Sequence, residues 1–437
     1  MGRVDPIVAT FLILGAAIAA FLSARVPLEV VAVGVAVALW ATGVLSLPSA
    51  LAGFGDPTVL FIASLFVVAT ALETSGVTRW VGGVILARAG TRRGGVLVRL
   101  GGIAAVLTAL ISINGAVAAL IPVAVVIARR SRIPTSQLMI PLAFVASAAS
   151  LLTLTGTPVN VVVSELAASE AGRSFGFFEF ALVGVPLTIA TVAVVVTLGP
   201  RLLPRCGPEP EPAELSDRES ETLSLVPEVV RTGAVRTRRR ARTGFRRTVV
   251  ITAAMVVVLA TGAVPAAIAG LLAAGALILT RVVRLPDLYT GISWTTLVLI
   301  AGMIPLSVAF LDTGAADLVA DGLLAVVGAA DPHIALLVVC VVVVVLGQFI
   351  SNVATVLIVA PVATSVATSL GVSPLPFLMA LTVAGAAAFL TPVATPVNLM
   401  VMSPGGYRFG DYWRLGLPLA LLFLAAAVLY VPLIWRF

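Results

Sequence analysis

The sequence predicts an all-α polytopic membrane protein of two inverted-topology repeats, each with five transmembrane helices and one re-entrant helical hairpin. Three observations carry this prediction: a very high apolar content, a second half that repeats motifs of the first, and arginines that orient the halves oppositely. Of the 437 residues 60% are apolar, enough for roughly thirteen spans of ~20 residues. A soluble domain averages about 45–50%. Of the 27 basic and 20 acidic residues, 11 and 7 fall between positions 201 and 247, and the rest cannot cover a soluble surface. Soluble, nucleic-acid-binding and disulfide-framework readings fall away. The net charge of +7 reflects loops beside a membrane. All basic residues are arginine, which reads as genome bias. Cys206 and Cys340 differ too much in setting to suggest a bridge or a metal site.

Apolar blocks run over 6–23, 27–46, 58–76, 100–128, 136–168 and 180–198. The first, preceded by Arg3, reads as a span rather than a signal peptide. Residues 1–200 thus form the first repeat. Residues 201–247 form a charged linker, with PEPEP at 208–212, acidic residues up to Glu228 and seven arginines from Arg236 to Arg247. Such a composition is expected to be mostly disordered or bound to the membrane surface. Blocks resume at 248–262, 264–280, 293–311, 333–371, 374–402 and 415–435, so that 248–437 form the second repeat.

The halves match in sequence. Leu72-Glu73-Thr74 correspond to Leu311-Asp312-Thr313, and Ser112 and Pro122 to Ser351 and Pro361, at an offset of 239; GTPVN at 156–160 corresponds to ATPVN at 394–398, and Gly184 and Pro186 to Gly416 and Pro418. Ordered matches at nearly constant spacing imply a duplicated unit. Block 100–128 has arginines at both ends, from Arg88 to Arg99 and from Arg129 to Arg132, so both ends want the cytoplasm. Broken at Ser112-Ile113-Asn114-Gly115, it reads as a re-entrant hairpin with arms of about a dozen residues. Its counterpart, 333–371, is broken at SNVAT, 351–355, and no arginine occurs between Arg284 and Arg408. It should open to the other side, which places the linker in the cytoplasm and both termini outside.

Irregular backbone inside a bilayer is tolerated only where protein buries it or where it lines a wet cavity. Each half has two such places, the hairpin tip and the Thr-Pro break. At Pro158 and Pro396 the helical ladder is interrupted, and carbonyls freed near Gly156 and Ala394 can bind a cation. Helices starting there and at the tips aim unpaired N–H groups at whatever lies between them, which suits an anion. The expected anion ligands are Ser112, Asn114, Thr157, Pro158, Asn160, Ser351, Asn352, Thr395, Pro396 and Asn398. The expected sodium ligands are Ser112, Asn114, Gly156, Asn352 and Ala394. Glu73 and Asp312 read as helix termini rather than proton carriers, and His333 as a loop residue. No motif with a nucleophile and base appears, so no enzyme is expected.

SNVAT followed by Pro361, the GTPVN and ATPVN breaks, and YRFGDYWRLGLP at 407–418 resemble the divalent-anion/sodium symporter family of dicarboxylate, citrate and sulfate transporters. The wider superfamily includes arsenite permeases and sodium/proton antiporters. The resemblance implies a homodimer that moves a carboxylate or sulfate substrate by an elevator motion, with sodium held by a Ser-Asn-Thr hairpin motif and the helix breaks. Ser351 and Asn352 match that motif while Val353 replaces its Thr. In the first hairpin, counting from Pro122 puts Ile113 at the Asn position and Asn114 at the Thr position. The expectation is therefore an inner-membrane symporter of small anions, with sodium as coupling ion, no other cofactor and no nucleic-acid partner. The alternatives are a sodium/proton antiporter of the same superfamily and a non-transporting sensor that acts through the linker.

Overall fold

The computed structural model describes residues 5–23, 25–77, 93–110, 112–204, 235–327 and 331–437, and among them every regular element is helical. The first half comprises α1 (Pro6–Ser23), α2 (Leu28–Ala41), a short α3 (Leu47–Leu51), α4 (Pro57–Thr74), α5 (Arg93–Leu110), α6 (Ile113–Ser131), α7 (Met139–Ala149), α8 (Pro158–Ala171) and α9 (Ala181–Thr197). The second comprises α10 (Val235–Thr261), α11 (Ala266–Leu279), a short α12 (Leu285–Gly291), α13 (Trp294–Asp312), α14 (Ala315–Val327), α15 (Pro332–Leu346), α16 (Asn352–Ser369), α17 (Pro374–Ala386), α18 (Pro396–Gly405) and α19 (Tyr412–Ala425). Among the described residues, eight helices are long and apolar enough to cross a membrane. Local chemistry sets their ends. Proline at the first turn follows a capping side chain at Asp56, Asp331 and Ser373. Gly172 and Gly406, with φ of 67° and 66°, close α8 and α18.

Among the described residues the second half repeats the order of the first, with α14 falling where the first half has 78–92, outside the described residues, and the two halves exchange partners. α2 packs on α13 and α11 on α4; α8 packs on α17 and α18 on α7; α6 packs on α18 and α16 on α8. The fit between these exchanged helices is close. A Cβ on Gly302 would lie 2.5 Å from the Ala32 carbonyl oxygen, and one on Gly270 would lie 2.1 Å from Ser64 Oγ. Only glycine lets the helices approach this closely.

Among the described residues the packing of α16 on α13 is not matched by a comparable packing of α6 on α4. α16 also lies against α14, whose counterpart would fall in 78–92, outside the described residues.

Three expectations need correction. The hairpin arms are not a dozen residues long: α5 and α6 have 18 and 19, and α15 and α16 have 15 and 18. In the first hairpin the helices run past the apolar block into its flanking arginines, Arg93 and Arg99 in α5 and Arg129 and Arg130 in the last turn of α6. His333, read as a loop residue, stands in the first turn of α15, and α14 occupies 315–327, between two of the apolar blocks. The linker, read as mostly disordered, is helical from Val235 onward and continuous with the span that follows. Arginine and alanine are good helix formers, and an existing span supplies the nucleus. Arg3, Arg88 and residues 205–234 lie outside the described residues.

Candidate functional site

In each half a helix stops and restarts, between Ala149 and Pro158 and between Ala386 and Pro396. One buried asparagine holds each interruption open. Asn160 Nδ2 donates to the carbonyls of Ser150 and Thr153, both at 2.8 Å; Asn398 Nδ2 donates to those of Ala388 and Thr391, both at 2.9 Å. These acceptors lie 10 and 7 residues upstream in both halves. The two breaks are thus built by one rule: proline and a bend strip carbonyls of their helical donors, and an amide two turns later replaces them. A neighbouring helix approaches each break through a glycine. A Cβ on Gly184 would lie 2.1 Å from the Leu151 oxygen, and one on Gly416 would lie 2.2 Å from the Phe389 oxygen.

Each hairpin tip is tied to the break of its own half. Thr153 Oγ1 donates to the Ala109 carbonyl at 2.9 Å, and Thr391 Oγ1 to the Gln348 carbonyl at 2.7 Å. Across the halves, Ser147 Oγ donates to the Ala386 carbonyl at 2.9 Å, and the Phe144 and Phe389 rings lie 4.9 Å apart. The two interrupted helices therefore meet. Tyr407, in the loop after α18, donates to the Ser136 carbonyl and accepts from Ile140 N at 3.0 Å, fastening the entrance of α7 to the other half.

Ser112, Thr157, Ser351 and Thr395 are the N-cap residues of α6, α8, α16 and α18. They do not behave alike. Ser112 accepts from Gly115 N and Thr395 from Asn398 N, both at 3.3 Å, so α6 and α18 are capped by their own chain. Thr157 and Ser351 make no cap bond. Further uncommitted oxygens lie on the same two helices: Asn160 Oδ1 on α8, and Asn352 Oδ1 and Thr355 Oγ1 on α16, all shielded from solvent without a hydrogen-bond partner. Thr108 Oγ1, one residue before Ala109, is in the same condition.

The expected site residues thus separate. Thr157, Ser351 and Asn352 sit where open polar groups face a helix start. Asn160 and Asn398 use their amides to brace the breaks, and the carbonyls that they engage are not those of Gly156 and Ala394. Pro158 and Pro396 open α8 and α18 at the first turn. Asn114 is exposed at the tip. Ser112 and Ser351 both stand at the N-cap position of the second hairpin arm, so Ile113 does stand in the place of Asn352. Thr108, Thr355 and Gln348 were not singled out in the sequence. Gln348 could have been noticed as an uncharged polar residue deep in a valine run, but a threonine in an apolar helix ordinarily bonds its own backbone and gives no signal.

The electrostatics are those of dipoles rather than charges. Among the described residues no group of three or more His, Cys, Asp or Glu side chains could hold a metal ion. Glu73 and Asp312 are exposed in the last turns of α4 and α13. Outside the spans, Glu179 forms a knot in the loop before α9. It accepts from Arg173 Nη2 at 2.5 Å and Nη1 at 3.0 Å, from Gly176 N at 2.8 Å and from Trp435 Nε1 at 2.7 Å. Partial burial works against its charge, but these donors outweigh it and hold the carboxyl below its usual range.

Comparison with known proteins agrees with this architecture. The profile of the citrate transporter family matches residues 18–384 and, in a second stretch, 306–437. The chain is 25% identical to the uncharacterized transporter YfbS of Escherichia coli, over 97% of this chain and 98% of that protein. It is 28% identical to rat solute carrier family 13 member 2, over 32% of this chain and 23% of that protein. Among solved structures, the YdaH transporter of Alcanivorax borkumensis aligns with a TM-score of 0.55 at 18% identity, over 88% of this chain and 86% of that one, which shows a shared fold. With a profile match along most of its length, this all-helical, multi-span chain belongs to the citrate transporter family and is a transporter rather than an enzyme.

Proposed function

We propose that the protein is a sodium-coupled symporter of di- or tricarboxylates or sulfate, which binds its anion at the N-termini of α8 and α16. The observation that carries this reading is the distribution of uncommitted polar atoms. Of the four helices that begin at interruptions, two are capped by their own side chains and two present open hydroxyls, Thr157 and Ser351, beside free N–H groups. A helix start with unspent donors favours a carboxylate or sulfate. Asn160 Oδ1, Asn352 Oδ1, Thr355 Oγ1 and Thr108 Oγ1 are neutral oxygens without donors, the ligand type that suits a monovalent cation beside an unwound helix. Sodium bound there offsets the substrate's charge, which is costly at the bilayer centre.

The packing also supports an elevator. Helices α1–α4 and α10–α14 make one body, and α5–α9 with α15–α19 make another, which carries both breaks and both tips. As a pair of re-entrant loops, the hairpins would move with this second body. Here α16 is docked on α13 and α14, and α6 has no comparable packing on α4. Exchanging these roles, α6 onto α4 and α16 away, gives the opposite-facing state of an inverted repeat. Two copies would associate through the first body.

Labelled citrate, succinate and sulfate uptake into proteoliposomes tests the reading. At least one anion should accumulate under an inward sodium gradient and not without it. No uptake of any of them under either a sodium or a proton gradient would overturn it. Glu73→Gln and Asp312→Asn should leave uptake intact; its loss would favour the antiporter instead.

A further inference from the structure

A proline stands inside the second arm of each hairpin, Pro122 in α6 and Pro361 in α16. Each lacks the N–H that would bond the carbonyl four residues upstream, so Ala118 and Leu357 lose their helical donors. A buried carbonyl without a donor is costly. For Leu357 the donor comes from the other group of helices: Ser307 Oγ in α13 donates to its carbonyl at 2.8 Å, in a buried setting. A serine inside a helix ordinarily turns its hydroxyl back on its own chain, as Ser64 of α4 does on the Phe61 carbonyl at 2.6 Å. Ser307 instead reaches across to α16, to the one carbonyl there that a proline has stripped.

Two turns further along α16 a second bond joins the two groups. Ser365 Oγ donates to Asp317 Oδ1 of α14 at 2.5 Å. Leu357 and Ser365 are about 12 Å apart along the helix and about 80° apart around it, so both lie on the side of α16 that meets α13 and α14.

The two hydroxyls do not recur in the first half. At the offset of 239 that relates the hairpins, Pro361 answers to Pro122 and Leu357 to Ala118, but Ser307 answers to Val68, flanked by Val67 and Ala69, and Ser365 answers to Val126. The stripped carbonyl was duplicated and the hydroxyl that meets it was not.

We propose that Ser307 and the Leu357 carbonyl, seconded by Ser365 and Asp317, form a one-sided latch that favours the state with α16 docked on α13 over the opposite-facing state. The latch rests on the motion between the two groups of helices proposed for transport. When α16 leaves, Ser307 can turn back on its own helix, but the Leu357 carbonyl has no donor in its own chain. Docking of α6 on α4 offers no equivalent bond, because Val68 has no hydroxyl to give Ala118. Matched halves would give the two states matched helix contacts; one hydroxyl at this contact tips their populations.

Distances between spin labels on the full-length protein in nanodiscs test it. Leu279→Cys at the end of α11 and Thr197→Cys at the end of α9, both exposed, place one label on each group; Cys206→Ser removes a competing thiol, and Cys340 is buried. Two distance populations should be present, the docked one recognised by the separation of the two positions in this structure. Ser307→Ala should lower the ratio of docked to undocked about fivefold, the worth of one buried hydrogen bond. Pro361→Ala gives Leu357 a helical donor again, and in that background Ser307→Ala should leave the ratio nearly unchanged. Val68→Ser adds a hydroxyl opposite the carbonyl that Pro122 strips and should also lower the ratio, although it takes nothing from the docked α16. Two populations whose ratio ignores Ser307→Ala, or responds equally with and without Pro361, would overturn the latch and leave the motion standing. A single population in the wild type and in every variant would overturn the motion, and the latch with it. An unmoved ratio in Val68→Ser would also overturn the latch, which keeps the test decisive if Pro361→Ala misfolds.

Discussion

At the break of the first half Asn160 spans carbonyls 10 and 7 residues upstream, and at that of the second Asn398 spans carbonyls at the same distances. The tips beside them are fastened unequally. Gln348 donates through Nε2 to the carbonyls of Val344 and Ala387, at 2.8 and 3.3 Å, and accepts from Leu390 N at 2.9 Å. The equivalent residue in the first half is Ala109, which offers only its carbonyl. Duplication thus preserved the parts that keep an interrupted helix open. It let the two halves diverge in how firmly a hairpin is held to its break and in which hydroxyls remain free. An inverted repeat needs common breaks to make one site and unequal surroundings to give the site distinct ligands.

Each part of this contrast can be broken by substitution. The largest effect is expected for Gly184→Ala and Gly416→Ala, where the new methyl would meet a fixed carbonyl. Each should destabilise by about 3 kcal/mol, read as a lower melting temperature in detergent, and the two should match. Unequal losses would show that the breaks are not equivalent. Asn160→Ala and Asn398→Ala each strand two buried carbonyls and should cost about 2–3 kcal/mol, again alike.

The next substitutions sharpen the difference. Gln348→Ala should cost about 2 kcal/mol because it leaves the Leu390 N–H and the Ala387 carbonyl unpaired, and no substitution at Ala109 has a side-chain bond to lose. Thr157→Ala and Ser351→Ala should lower uptake at limiting substrate about tenfold, or about 1.4 kcal/mol, without changing the melting temperature. Ser112→Ala and Thr395→Ala should do the reverse, losing about 1 kcal/mol of stability through their caps. Equal uptake losses at all four positions would remove the assignment of the site to α8 and α16.

The smallest effect concerns pH. Glu179 and Asp411 occupy equivalent loops and accept from Gly176 N and Arg408 N respectively, but only Glu179 also binds an arginine and a tryptophan. Its carboxyl titrates below the usual 4.5, so its contribution is complete above that pH and is lost as pH falls through the depressed value. Glu179→Gln should lower stability by about 1 kcal/mol at neutral pH and flatten the acid side of the melting profile. A melting profile that does not change on this substitution would show that the knot adds nothing.

The repeat, the four interruptions and the helical class were legible because they are written in proline, glycine and apolar blocks, which act through local chain geometry. The roles of Asn160 and Asn398 were not. An asparagine after a Thr-Pro break looks the same whether it faces a ligand or turns back on its own carbonyls, and only the chain's path through Ser150 and Ala388 decides. α14 was missed because Asp317 and Asp321 lower its apolar content, and the arginines of α10 were read as coil because charge there does not prevent a helix from extending out of a span. The unequal capping of Ser112 and Ser351 was also out of reach, since both precede a helix in nearly the same motif.

The principal contacts between the halves are exchanged ones, α2 on α13, α11 on α4, α8 on α17 and α18 on α7. A single repeat made alone would expose those faces to lipid and would find their complement only in a copy of itself inserted upside down. A gene for one half would therefore have had to yield both topologies in equal measure. Fusion through the linker fixed that ratio at one to one and freed each half to specialise.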